Sequence, residues 1–227
     1  MRESVLWGHH FSEYQQMFNF VDMDINSRIL EYGCGATAVN AELHARHQTI
    51  VSCDPLFSLQ NEKLNHTVLS TFEEAVQHLK NAKDQYDFSH YGSMEALIEQ
   101  RREGIAECLA DYEKGQMEKR YLPLDHEALS FKDFSFDYAL SSHFLFSALE
   151  EQDVDFHLHC IRELARVAKD VRIFPLIDRS GQPSPLLGPV LLGLQQTNYA
   201  VEVHEVDYQL QLGGHAMLRV WARECPL

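Results

Sequence analysis

The feature that most constrains this chain is a short unit near its start: an apolar run that breaks on two glycines and, one helix and one strand later, ends on an acid. Arg28-Ile29-Leu30-Glu31-Tyr32 reads as a buried strand, and Gly33-Cys34-Gly35 as the tight turn that closes it. Ala38 to Ala45 places Val39 and Leu43 on one face, the spacing of a helix. Thr49-Ile50-Val51-Ser52-Cys53 is a second strand, ending at Asp54-Pro55. Strand, helix, strand in this order predicts a right-handed parallel crossover, and with it an open, doubly wound α/β sheet. Ligands of such sheets bind beyond the carboxyl ends of the strands, near the switch point. That rule gathers Gly33, Gly35, Asp54, Asp125 and the segment after Ser141 around one cleft.

The remaining elements extend the pattern and interrupt it once. Phe11, Tyr14, Met17, Phe18 and Val21 recur at helical spacing and predict a core-covering helix before the first strand. From Leu56 to about Arg120 the signal is helical, with almost no strand. Thr71-Phe72-Glu73-Glu74 has capping-box spacing and predicts a helix start. A longer helix is predicted from near Ser93. Its row Glu95, Glu99, Glu103, Glu107 and Asp111 reads as a solvated face, opposite Met94, Leu97, Ile98, Ile105, Leu109 and Tyr112. Strands then resume at Tyr121–Leu124 and Phe136–Ser141. They are followed by an amphipathic helix over Glu151–Lys169, a strand over Val171–Pro175 and a helix through Val190, Leu191 and Leu194. Val201–Val206 and Met217–Trp221 flank Gly213-Gly214 and predict a closing hairpin.

Composition excludes several classes. The 227 residues, 45% hydrophobic and 23% charged, suit one globular domain over 1–227 with a sizeable insertion at about 56–120. There is no apolar leader-like region and no run of membrane-spanning length, so the expectation is a cytoplasmic protein with no membrane partner. Five scattered cysteines with no CxxC pair fit reduced thiols. A formal charge of −15 opposes a nucleic-acid partner, because phosphate binding relies on clustered Lys and Arg. His157 and His159 stand two apart on a predicted helix and point different ways, so no metal site is expected there.

The chemistry-bearing residues sit at the first unit. Glycine turns sharply and lets a ligand approach the backbone. Asp54 ends the second strand, where an acid can accept hydrogen bonds from both hydroxyls of a ribose. Together these argue for an adenosine-containing ligand, against the plain alternative of a tight turn with none. Glu31, two residues before Gly33, disfavours a phosphate and favours an ammonium or sulfonium. Ala38 stands at the last position of a dinucleotide fingerprint, which keeps an NAD-dependent oxidoreductase open as an alternative.

At this point the chain resembles the class I S-adenosylmethionine (SAM)-dependent methyltransferases. Leu30-Glu31-Tyr32-Gly33-Cys34-Gly35 looks like their first motif, and Asp54 like their ribose-binding acid. Asp125-His126-Glu127-Ala128-Leu129-Ser130-Phe131 with Phe134-Ser135-Phe136-Asp137 is similar to a stretch of the ubiquinone-type, small-molecule subgroup. Arg162 to Val167 resembles the helix before their fifth strand, and the final hairpin their sixth and seventh strands. The likeness covers roughly Ile29–Asp54 and Asp125–Trp221. It implies a Rossmann-like, mostly parallel sheet with an antiparallel C-terminal hairpin, SAM as cofactor, and methyl transfer to a small-molecule acceptor. The cofactor-binding residues it implies are Tyr14, Glu31, Gly33, Cys34, Gly35, Asp54, Pro55, Asp125, His126 and Ser141. Asp125 would take the adenine amino group, the His126 N–H a ring nitrogen, and Tyr14 the methionine carboxylate. His143, after the fourth strand, is the candidate general base, with a pocket-lining or backbone-bonded histidine as the alternative. Two departures stand out: Thr37 where many members have a third glycine, and the long insertion, which this reading makes a lid over the acceptor. A SAM-binding module without catalysis is the remaining alternative.

Overall fold

The computed structural model describes residues 6–20, 26–126, 128–146 and 152–223. Helix α1 is Phe11–Met17, and β1 (Arg28–Tyr32), α2 (Val39–Ala45) and β2 (Thr49–Cys53) follow. A short 3-10 turn at Pro55–Ser58 leads to α3 (Asn61–Asn81) and α4 (Met94–Met117). Then come β3 (Tyr121–Leu122), β4 (Phe136–Ser142), α5 (Val154–Val167), β5 (Ala168–Phe174), α6 (Leu187–Gln196), β6 (Tyr199–Glu205) and β7 (Ala216–Ala222). The strands form one seven-stranded sheet in the order β3-β2-β1-β4-β5-β7-β6. Strands β1 to β5 run parallel, while β7 pairs antiparallel with β5 and with β6. This is the doubly wound, mostly parallel sheet with a C-terminal hairpin that the sequence predicts.

Strand β1 is buried on both faces because both are covered, with Glu31 as its one buried acid. Ile29, Val39, Leu43, Ile50 and Leu140 pack with Phe11, Tyr14 and Met17 on the α1–α2 side. Leu30, Ala139 and Val171 pack with Ile161, Leu164, Val190 and Leu194 on the α5–α6 side. Ile161 and Leu164 are fully buried; such side chains contribute roughly 1.5–3 kcal/mol each. The switch in connection direction lies between β1 and β4, and it is beyond the carboxyl ends of such strands that doubly wound sheets bind their ligands.

The insertion is helical, as predicted, with two boundary corrections nearby. Thr71 lies inside α3, which begins at Asn61: Leu64, Val68, Phe72, Val76 and Leu79 continue one buried stripe through it. The stripe overrides the local capping pattern. The helix predicted over Glu151–Lys169 starts at Val154, where the Asp153 carboxylate caps it by accepting from Phe156 N at 2.8 Å. It ends at Val167, because Ala168 already pairs with Phe136 as the first residue of β5. Ser93 caps α4, its hydroxyl accepting from Ala96 N at 3.0 Å. Glu151, Val21 and Cys225 lie outside the described residues. The other four cysteines are buried and unbonded to one another. Among the described residues no helix is long and apolar enough to cross a membrane.

Candidate functional site

The turn after β1 is built as its glycines predict. Gly33 and Gly35 have φ of +68° and +69°, in the left-handed region. Asp54 leaves β2 and braces this turn: its Oδ2 accepts the Gly35 N–H at 2.7 Å, and its Oδ1 the Leu56 N–H at 2.9 Å. Glu31, fully buried, accepts hydroxyl hydrogen bonds from Ser52 and, at 3.3 Å, from Thr37. Burial pushes its carboxyl up to about 7. The Tyr14 hydroxyl lies near Glu31 and Ser142 but reaches neither in hydrogen-bond geometry, and burial raises it well above the ordinary phenol value.

A strap from the N-terminal segment crosses this turn. Gly8 N donates to Ala36 O, and Ala38 N to His9 O, both at 2.9 Å. The Trp7 ring is thereby laid on Gly35, where an added Cβ would stand 2.2 Å from Trp7 Nε1. The Phe144 ring covers Gly33 in the same way, 2.4 Å from such a Cβ. Trp7 Nε1, His9 Nδ1, Tyr14 Oη and Ser141 Oγ are buried with no hydrogen-bond partner among the described residues. An unpaired buried polar group costs about 1–3 kcal/mol. Three of these four belong to the strap and α1, around the glycine turn, which is where a ligand would satisfy them.

Beyond the strap lies a second compartment. His143 follows β4 with φ +55°, an uncommon conformation for a residue with a side chain. Its N–H donates to Phe174 O at 2.7 Å, and its Nδ1 lies 2.7 Å from the Ser142 hydroxyl. Its ring stacks on His9, centroids 4.9 Å apart. Behind them the Arg101 guanidinium donates to Glu13 at 2.5 Å and to the hydroxyls of Tyr208 and Tyr91 at 3.0 and 3.2 Å. Burial, and next the Arg101 charge, push His143 down to about 3 and His9 well below its ordinary value. Both imidazoles are neutral at physiological pH. They line a cavity of about 70 Å³ whose other walls come from α3, the segment after it, the end of β5 and the β6–β7 connection.

The structure thus brings Tyr14, Glu31, Gly33, Gly35 and Asp54 together. Cys34 is buried beside Trp7 and Ala36 in the core under the strap. His126 Nδ1 lies 3.1 Å from the Tyr32 hydroxyl, and its ring stacks on Phe144 at 5.5 Å. Pro55 and Asp125 are exposed, at the 3-10 turn and in the loop after β3. Ser142 meets Met17 on the α1 side, so Ser141, one residue earlier in the strand, turns to the opposite face. His157 is committed to the fold: Nε2 accepts Phe146 N at 3.0 Å, and Nδ1 lies 2.7 Å from Asp153 O. Sequence reasoning missed Trp7, His9 and Arg101. The visible signal was an arginine on the apolar face of α4, in step with Leu97, Ile105 and Cys108.

No family model matches the chain. An uncharacterized protein of Methanocaldococcus jannaschii is 26% identical over 219 residues, covering 96% of each chain. Among solved structures, a SAM-dependent methyltransferase from Methanosarcina mazei matches 96% of this chain and 100% of its own, with 13% identity and a TM-score of 0.48. A TehB-like SAM-dependent methyltransferase from Corynebacterium glutamicum matches 89% and 83%, with 15% identity and a TM-score of 0.47. A magnesium protoporphyrin IX methyltransferase from Synechocystis with bound S-adenosylhomocysteine (SAH) matches 93% and 84%, with 11% identity and a TM-score of 0.46.

Proposed function

We propose that this chain binds SAM at the Gly33–Gly35 turn and transfers its methyl group to a small-molecule acceptor. The observation that carries the reading is the buried acid pair at the carboxyl ends of β1 and β2. Asp54 is locked onto the Gly35 N–H, and Glu31 is sealed beside an unpaired Tyr14 hydroxyl. A carboxylate has about four acceptor positions, so Asp54 can hold Gly35, Leu56 and a ribose hydroxyl together. The Tyr14 hydroxyl and Trp7 Nε1 are donors suited to a carboxylate, and Glu31 is an acceptor suited to an ammonium. The residues present therefore fit an amino acid joined to a nucleoside. The group, when bound, supplies an electrophilic methyl on a sulfonium.

The chain's own part is positioning. Asp54 and the glycine turn orient the nucleoside, Tyr14 and Glu31 the amino-acid end, and the strap with Phe144 excludes water. Trp7 and Phe144 cover the faces of Gly35 and Gly33 that such a ligand approaches, so binding displaces or re-stacks both rings. The helical insertion roofs the neighbouring cavity through Ala75, His78, Leu79 and Tyr86. With its imidazole held neutral down to about pH 3, His143 is a weak base. We read it as a wall and hydrogen-bond partner of the acceptor. The same observation favours one second reading, a SAM-binding module without turnover.

Isothermal titration with SAH tests the proposal. Wild type binds, and Asp54→Asn, with its fold confirmed by circular dichroism, binds about tenfold or more weakly through loss of a charge-assisted hydrogen bond. In a Trp221→Phe background Trp7 is the sole tryptophan, and its emission shifts on SAH addition. Binding of NADH and not SAH by folded protein would overturn the reading. SAH binding with no turnover across acceptors would select the non-catalytic one.

A further inference from the structure

We propose that the cavity beside His143 is the acceptor site and that its acceptor is a small carboxylate, methylated on oxygen. This rests on the cofactor reading above and adds the substrate class. The cavity lies at the carboxyl ends of β4 and β5, joined to the glycine turn through the stacked pair His9 and His143. Among the described residues its lining holds one acid, Asp178, one arginine, Arg179, and three histidines, in a chain that carries 34 acids to 19 bases. Arg179 stands at the rim, exposed and without an ion-pair partner among the described residues, and His78 lies opposite on α3. The one carboxylate in the wall, Asp178, is turned into its own loop. It accepts from Ser180 N at 2.8 Å, Ser180 Oγ at 2.7 Å and Gln182 N at 3.3 Å. Burial is the first cause that keeps both histidines neutral; the Arg101 charge behind them adds to it, at His143 against the smaller opposing effect of Glu13, and the sign of that charge suits an anion in front of them.

The same two histidines argue against an acceptor that must lose a proton. Neither readily takes one near neutrality, whereas a carboxylate arrives already ionised. An oxygen lone pair forms the new O–CH3 bond while the C–S bond pair withdraws onto sulfur. A methyl ester and a neutral thioether result, and no proton moves. Size narrows the class further. A water needs roughly 10–15 Å³ of such space, so 70 Å³ admits a molecule of only a few non-hydrogen atoms without rearrangement. Leu79, Tyr86 and Leu210 offer it an apolar wall.

The test is a contrast of matched probes on SAH-saturated protein: acetate and propionate against acetamide and propionamide, followed by calorimetry and ligand-observed NMR. The carboxylates are expected to bind about tenfold more tightly than their amides, the size of one charge-assisted contact. Arg179→Gln is expected to weaken carboxylate binding while leaving SAH affinity unchanged. Equal binding of acid and amide, an unchanged affinity in Arg179→Gln, or no acid binding to the SAH complex would each overturn the proposal. Failure of SAH to bind strikes the cofactor reading instead. The acid–amide contrast measured without SAH then decides the character of the cavity alone.

Discussion

Two arginines tie α4 into the molecule, and they stand in different media. Arg120 fixes the end of the insertion: its two terminal nitrogens meet Asp111 at 2.6 and 2.8 Å, its Nε meets Glu118 at 2.8 Å, and Asn40 takes a further bond at 2.5 Å. Its side chain is 7% exposed and that of Asp111 17%, so water still reaches the pair. Arg101 and Glu13 are 0% and 1% exposed, and Arg101 Nε has no partner among the described residues. Burial disfavours the charge on Arg101, and the Glu13 carboxylate beside it, with the two tyrosines, more than offsets that. A fork whose every nitrogen is hydrogen-bonded, at the edge of water, acts as a clamp. A charge pair in the dry interior, with one donor unpaired and two neutral histidines in front, also acts on those histidines and through them on the cavity they line. Location decides the role, though the residue types are nearly the same.

The largest expected effect comes from breaking the dry pair. Glu13→Ala leaves a buried guanidinium uncompensated and is expected to lower unfolding free energy by about 3–5 kcal/mol in urea titrations. Replacing both partners with apolar side chains, Glu13→Leu with Arg101→Met, removes the stranded charge and is expected to recover most of that loss. In the double variant the His143 C2 proton should titrate closer to the ordinary histidine value, because the Arg101 charge that depresses it outweighs the opposing Glu13 charge lost with it. An unmoved His143 titration would separate Arg101 from the cavity and undo the contrast between clamp and field.

The pH dependence sharpens the contrast within the site itself, since Glu31 and His143 are both desolvated yet move in opposite directions. The folded Glu31 carboxyl titrates at about 7, above its ordinary 4.5. The folded state therefore holds a proton that the unfolded state has released. That contribution is full below pH 4.5 and lost as pH rises through 7. His143 is the reverse: its folded value of about 3 lies below 6.5, so its contribution is full above pH 6.5 and lost as pH falls toward 3. A tenfold difference in proton affinity between the two states corresponds to about 1.4 kcal/mol. Glu31→Gln is expected to remove the fall in stability between pH 4.5 and 7 and leave a net rise with pH there. Urea midpoints taken across that range would show it, and an unchanged slope would mean that Glu31 is ionised throughout.

What could be read from the chain beforehand was what neighbours in sequence determine. The unit from Arg28 to Asp54 is local: a strand period, two glycines with positive φ and an acid at the next strand end, each imposed within a few residues. The hairpin β6–β7 is local in the same sense. Arg101 escaped because its partner Glu13 lies 88 residues away and only the tertiary fold joins them. Trp7 and His9 escaped for a related reason. The strap takes its position from bonds to Ala36 and Ala38, across the turn, and no periodicity encodes that closure. Thr71 shows the converse failure, a correct local motif overruled by a longer buried stripe.

The wet end of α4 supplies the smaller effects. Asp111→Ala is expected to cost about 1–3 kcal/mol, less than Glu13→Ala, because Arg120 keeps Glu118 and Asn40 and because solvent can reach the vacated nitrogens. Asp111 nevertheless departs from the solvated face predicted for its acid row, since the other four members are exposed and it is half-buried against Arg120. Glu103→Ala, from the exposed part of the same row, is expected to stay within about 0.5 kcal/mol of wild type. The three substitutions remove a carboxylate from three depths, two of them on α4 and the third on α1. A graded loss from Glu13 through Asp111 to Glu103 would tie the cost to desolvation. A loss at Asp111 equal to that at Glu13 would instead mean that the number of hydrogen bonds sets the cost, and that the two arginines are clamps of one kind.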